Sequence, residues 1–328
     1  MSDPKIPAHG WIVLDKPRGL GSTQAVGAVK RNLREAGYGK VKVGHGGTLD
    51  PEAEGVLPIA LGEATKLSGR MLDSDKTYEF TIQFGEETDT LDAEGAVTDR
   101  TQRRPPRAAI AAICEHFTGA IDQLPPKYSA LKVDGKRAYD LARKGEEVEL
   151  ATRRVVIHSL EILGGGAVDD RVESAFATTL GRPDPYDPQA PLELADSATL
   201  VATVSKGTYI RSLARDIAHA LGTLGHVTYL RRTKAGPFSE AQAISLDKLN
   251  EIGKGAPLQD HLLSLEAGLD GIPALALNPD SAQAARQGRV VSGLPHPDGL
   301  YFAKLEDAPV ALVELEGGEM KVVRGFNV

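Results

Sequence analysis

The sequence predicts a mixed α/β (α+β) chain, with a mixed-sheet domain over residues 1–252 and a small β-rich domain over 253–328. Three observations predict it. Strand-like and helix-like stretches alternate irregularly along the first 250 residues, which favours a mixed sheet over a regular parallel one. Gly253, Gly255 and Pro257 cluster at a plausible boundary. Three short strand patterns follow that cluster. A chain of 328 residues also suits two domains at ordinary sizes.

The elements follow in order. The apolar run Trp11-Ile12-Val13-Leu14 predicts a strand. Ser22 and Thr23 are cap candidates for a helix that carries Ala25, Val26, Val29 and Leu33 on one side. Over 78–84 the residues alternate, placing Tyr78, Phe80, Ile82 and Phe84 on one strand face. A helix is expected over 107–117, with Ile110, Ile113 and Phe117 inward and Gly119 just past its end. Cys114 lies in it as a core thiol. Strands are expected over 155–163, 172–178 and 199–204. Between the last two, Pro183, Pro185, Pro188 and Pro191 mark 181–196 as a surface insertion, and a further insertion falls near 100–150. A helix over 209–221 stops at Gly222. The β-rich end is expected to hold strands over 301–305, 310–315 and 320–323.

Composition narrows the function. Apolar residues make up 41% and charged residues 25%, enough for a packed core and too apolar for global disorder. No run approaches the roughly 20 apolar residues that span a bilayer. The polar residues 1–9 lack a signal-peptide core, so a cytoplasmic protein without a membrane partner is expected. A single cysteine excludes an internal disulfide and multi-cysteine zinc sites. The net charge of −7 argues against a nucleic-acid partner, but its distribution does not. Segments 1–50, 127–144 and 205–234 are net positive by 4, 4 and 5 charges. Brought together they form a face for a polyanion; left apart they are ordinary solvated surface.

Segment 44–51, Gly44-His45-Gly46-Gly47-Thr48-Leu49-Asp50-Pro51, is the densest unusual stretch. Its glycines permit positive φ and close backbone approach, and Pro51 holds Asp50 extended. Asp50 is then a candidate nucleophile or base, or an aspartate capping the next turn. Phosphate-loop, dinucleotide and nucleophile-elbow patterns are missing, and the eight histidines show no metal-ligand spacing. No cofactor and no metal are expected. In 205–214 a strand ends, Gly207 turns the chain and a helix begins with Tyr209 and Arg211. That arginine can pair with a carboxylate or phosphate, or simply lie on the surface. Segment 226–238 interleaves Tyr229, Arg231 and Arg232 with apolar residues. That pattern fits RNA contacts, or a strand with a charged outer face.

Together these segments resemble the bacterial tRNA pseudouridine-55 synthases, the TruB family. Segment 44–51, then Gly55-Val56-Leu57-Pro58 and Gly62-Glu63-Ala64-Thr65-Lys66, stand in the family's order and spacing. So do 73–78, 88–92, 126–132 and 206–213, and 10–17 matches the opening strand. The resemblance implies a catalytic domain that isomerises uridine to pseudouridine without cofactor, followed by a small RNA-binding PUA-like domain. The latter is matched by Gly293-Leu294-Pro295 and Val323-Arg324-Gly325-Phe326. It implies that Asp50 is catalytic, as a nucleophile at ribose C1′ or as the base that starts glycal formation. It implies that Arg211 pairs with Asp50 and that Tyr78 stacks on a flipped-out base and assists loss of the C5 proton. Tyr209 and Leu230 would line the pocket, and His45 would fill the space the base leaves or buttress the opened loop. Asp92 falls where the family keeps an acidic residue near the active site. Gly46 departs from the family, where a hydroxyl or larger residue is common; the extra glycine predicts a looser loop.

The expected partner is the T-arm stem-loop of tRNA, met by a monomer with no obligate protein partner. A tRNA-binding folding chaperone with secondary catalysis, and a synthase acting on another RNA, are the alternatives.

Overall fold

The computed structural model describes residues 8–129, 131–133, 136–144, 150–163 and 193–328. The expected strand over 172–178 and most of the 181–196 insertion lie outside them. The chain forms two compact units, Met1–Ser74 with Arg232–Val328, and Asp75–Arg231. The architecture is mixed α/β with a β-rich C-terminal sheet, as expected.

In the first unit, Gly10–Lys16 pairs antiparallel with Glu54–Leu61 and parallel with Ala243–Ile244. Trp11, Ile12, Val13 and Leu14 are all buried, as are Val56, Leu57, Ile59, Ala60 and Leu61. Both strands are covered on two faces, which is why their sequences read as continuous apolar runs instead of alternating. Val43–His45 adds to the Glu54–Leu61 strand. Helix Ser22–Glu35 buries Ala25, Val26, Val29 and Leu33, the stripe its spacing predicts. Its N-cap is Gly21, whereas the sequence pointed to Ser22 or Thr23. Ser22 Oγ is occupied elsewhere, as described below.

The C-terminal sheet runs Ala274–Ala276, Gly299–Leu305, Ala308–Glu316, Glu319–Gly325, Val291–Ser292. It contains the three expected strands, and helix Pro279–Arg286 packs on it through Ala282 and Ala285. Its other side shares a core with the N-terminal strands: Phe302, Leu312 and Phe326 cluster with Trp11, Val13 and Val56.

In the second unit, Lys76–Phe84, Ser197–Val204, Arg153–Ile162 and Gly119–Gln123 form an antiparallel run in that order. Helices Arg107–Phe117 and Ile210–Ala220 lie against it, with Phe80, Ile82 and Phe84 meeting Ile110, Leu213 and Ile217. Cys114 is buried there and donates to the Ile110 carbonyl; burial pushes its thiol up to about 11, so it is the core thiol expected. Strand Gly225–Ala235 begins in this unit and ends in the other. Among the described residues no helix is long and apolar enough to cross a membrane.

Candidate active site

Asp50 stands on an irregular loop, and an irregular backbone inside a protein must find hydrogen-bond partners outside its own ladder. Here each carbonyl oxygen of residues 47–51 has one. Arg232 Nη2 donates to the Gly47 carbonyl and Nη1 to that of Thr48, both at 3.3 Å. Ser22 Oγ donates to the Leu49 carbonyl at 2.7 Å and accepts from the Leu49 N–H at 2.8 Å. The Ala53 N–H reaches the Asp50 carbonyl at 3.1 Å. Pro51 receives the Gly19 N–H at 2.8 Å and Lys16 Nζ at 3.2 Å. Leu49 is buried and Asp50 half-buried, so the loop is anchored by its leucine and presents the carboxylate beside it.

Two of these donors are buried cations. Lys16 is fully buried, and its ammonium also bonds the Pro17 and Leu20 carbonyls at 3.0 and 2.7 Å. Burial pushes it down to about 8, against the opposing pull of Asp50. Arg232 is 1% exposed and adds a 2.7 Å bond from Nε to the Val56 carbonyl. The sequence placed both residues in basic segments available to RNA. The fold takes them inside, so the solvated-face and RNA-contact readings both fail for Arg232. Its strand alternation hinted at this, since Arg232 shares a face with Leu230 while Tyr229 points outward.

His45 sits just before the loop. Burial, then the Arg232 charge, hold its imidazole below the usual histidine value. Nδ1 accepts the Gly47 N–H at 3.4 Å, which puts the proton of the neutral ring on Nε2. Gly46 corrects the expectation of a looser loop. It is buried, its N–H bonds the Pro58 carbonyl at 2.8 Å, and a Cβ added there would lie 2.6 Å from Met71 Cβ. The glycine is therefore a point of close packing. Gly47, at φ 141°, uses the freedom that only glycine has.

The second unit carries the remaining predicted residues. Tyr78, half-buried on Lys76–Phe84, and Leu230 both pack against that unit's core. Tyr209 caps helix Ile210–Ala220; its N–H donates to Gln123 Oε1 at 2.8 Å and its carbonyl accepts from Gln123 Nε2 at 3.2 Å. The Arg153 guanidinium lies 5.6 Å from the centre of its ring, within cation–π range. Arg211 is buried, which removes the surface reading. It donates to the carbonyls of Thr90 at 2.8 Å and Tyr128 at 3.0 Å, and it meets the Asp92 carboxylate at 3.3 Å. Asp92 is held in turn by Thr90 Oγ1 at 2.5 Å and the Glu94 N–H at 3.2 Å. Between them Leu91 adopts φ 63°, a strained value for a leucine, stabilised by its bonds to Thr88 and Val227.

Sequence reasoning missed Lys16 and Arg232 as parts of the site and gave Ser22 a capping role. Among the described residues no group of three or more His, Cys, Asp or Glu could hold a metal ion.

Comparison with known proteins gives the family. Residues 33–178 match the N-terminal domain of the TruB family pseudouridylate synthases, and residues 211–270 match the tRNA pseudouridylate synthase B C-terminal domain. The chain is 61% identical over 319 residues to tRNA pseudouridine synthase B of Novosphingobium aromaticivorans, covering 97% of each. It is 53% identical to that of Zymomonas mobilis, covering 97% of this chain and 96% of the relative. Among solved structures, a chain in a Cbf5–Nop10–Gar1 complex superposes with a TM-score of 0.66 at 26% identity, over 98% of this chain and 85% of the other. With relatives this similar across almost their whole length, the chain belongs to the TruB family of tRNA pseudouridine synthases, which are isomerases.

Proposed function

We propose that the protein converts uridine to pseudouridine at position 55 in the T loop of tRNA, in the cytoplasm. The observation that carries this reading is the fixed aspartate, Asp50 on a loop whose backbone is tied at every carbonyl from 47 to 51. A carboxylate that must attack or deprotonate a sugar gains from a position settled before substrate arrives.

The reaction breaks the N1–C1′ bond, turns the uracil and joins its C5 to C1′. The proton on C5 leaves to solvent. Asp50 acts at the sugar, as nucleophile at C1′ or as base toward a glycal. A uridine in a structured loop is stacked, so it is flipped out first at a cost of a few kcal/mol. Tyr78 stacks on the flipped base and helps remove the C5 proton, Tyr209 and Leu230 line its pocket, and Arg211 pairs with the catalytic carboxylate. His45, neutral at pH 7, fills or supports the opened T loop without adding charge. The chain acts as a monomer on the T-arm stem-loop, with residues 253–328 as an RNA-binding domain.

Tritium release from a T-arm stem-loop labelled at uridine C5 tests the reading, with wild type and Asp50→Asn side by side. Release by the wild type alone is expected. Binding of the RNA by both proteins with release by neither would replace the reading with that of an RNA chaperone or another target.

A further inference from the structure

We propose that Arg232 is a positioning residue for the isomerisation: its guanidinium fixes the backbone of residues 47–48 and so sets where the Asp50 carboxylate stands. The proposal rests on Asp50 being the catalytic carboxylate and deepens that reading.

Three facts point to this role. The side chain is 1% exposed, so it contacts neither solvent nor RNA phosphates. Its hydrogen bonds go to three carbonyl oxygens, Gly47, Thr48 and Val56, from all three guanidinium nitrogens. A buried cation met by carbonyl oxygens is an expensive way to fill a core, and an apolar side chain of like volume is often the more stable choice. The acceptors it serves lie on two segments, the loop before Asp50 and the strand Glu54–Leu61 that follows it. The planar fork therefore ties the two flanks of the Asp50 turn to each other. Lysine presents a single point charge and cannot bridge three acceptors in one plane.

Ser22 completes the clamp from the opposite flank, engaging both the N–H and the carbonyl of Leu49. Arg232 comes from the end of Gly225–Ala235 and Ser22 from the start of Ser22–Glu35, and both converge on the three residues that precede Asp50.

The test uses the full chain with Arg232→Met, Arg232→Lys and Ser22→Ala. Stem-loop turnover is measured below each variant's melting temperature, and amide hydrogen exchange is measured across residues 46–53. Arg232→Met is expected to lose about 10²-fold in kcat with KM for the stem-loop little changed, the signature of a displaced catalytic group. Its loop amides should exchange faster, and Arg232→Lys should recover only part of the rate. Ser22→Ala, a smaller change that keeps the fold, should show the same pattern more weakly. Unchanged kcat with unchanged loop exchange in both Arg232→Met and Ser22→Ala would overturn the proposal. If Arg232→Met does not fold, Arg232→Lys takes its place in the same comparison, and unchanged kcat with unchanged loop exchange in it overturns the proposal. Loop exchange scores the proposal separately from turnover, so failure of the Asp50 chemistry, seen as an inactive wild type, is distinguishable from failure of the clamp.

Discussion

Lys16 shows what burial does to a single side chain in this fold. Its ammonium is fully buried beside the Asp50 loop, and burial brings it from 10.5 down to about 8. The unfolded chain therefore holds a proton on this lysine between pH 8 and 10.5 that the folded chain has released. The cost of burying the charge is fully present below pH 8 and is relieved as pH rises through that window. Wild type should gain stability relative to Lys16→Met between pH 8 and 10, measured by urea titration at each pH. Parallel curves for the two proteins would show that the buried amine keeps its ordinary affinity for a proton. Nothing in the order of residues signalled this. Lys16 follows Trp11-Ile12-Val13-Leu14-Asp15, and a lysine at the end of a strand ordinarily reaches solvent. What turns it inward is tertiary: the carbonyls of Pro17, Leu20 and Pro51 gather at one point only after the loop has folded back.

At the scale of elements, segment 88–92 and the start of helix Ile210–Ala220 act as a pair. Leu91 bends the segment so that the Thr90 carbonyl and the Asp92 carboxylate both face Arg211. Replacing Asp92 by alanine removes the carboxylate 3.3 Å from the buried Arg211 guanidinium, which should cost about 3 kcal/mol, the lower end for broken buried pairs because the other partners of Arg211 remain. A urea melt should show a lower midpoint with an unchanged slope. A midpoint within error of wild type would mean that the other partners of Arg211 satisfy it without Asp92. Much of the element layer was legible in the sequence, because burial on one face imposes a period. Helix Arg107–Phe117 is read at its true ends, and the strands Lys76–Phe84, Arg153–Ile162 and Ser197–Val204 to within a few residues, whereas Glu54–Leu61 and Gly119–Gln123 are not read as strands. Helix Pro279–Arg286 was missed, although Asn278 before Pro279 and Gly288 beyond Arg286 are ordinary start and stop signals. Its apolar stripe consists of alanines, too weak to stand out. The site divided in the same way. The loop carrying Asp50 was conspicuous for its glycines, whereas the donors that hold it come from residues 22, 16 and 232 and meet only in space.

At the scale of the whole molecule, the question is whether residues 253–328 form a separable domain. The sequence sets a boundary at 252/253, but Trp11 draws its surroundings from beyond it. Its N–H and carbonyl bond the Leu263 backbone at 2.9 and 2.8 Å, and its indole N–H donates to the Leu265 carbonyl at 3.3 Å. Its side chain is 0% exposed, in a cluster with Leu265, Leu269, Phe302 and Phe326. Gly268 is a glycine because the indole lies against it; a Cβ there would stand 2.6 Å from the ring. The far end of the chain is tied back as well, with Lys66 Nζ donating to the Gly325 carbonyl and the Asn327 N–H donating to Glu63, both at 2.8 Å. A chain cut after residue 252 would expose Trp11 and the apolar residues around it. Losing the partners of one large aromatic costs about 3–5 kcal/mol, and each kcal/mol moves the melting point of a chain of this size by about 2–4 °C. The 1–252 fragment should therefore melt about 10 °C or more below the full chain, followed by circular dichroism, with its tryptophan emission shifted to the red. Since Trp11 is the only tryptophan, that emission reports on this contact alone. A fragment that melts with the full chain and keeps a blue emission would make 253–328 an independent appendage. With the expected result, the C-terminal sheet helps to hold the strand Gly10–Lys16, and through Lys16 the loop on which Asp50 stands.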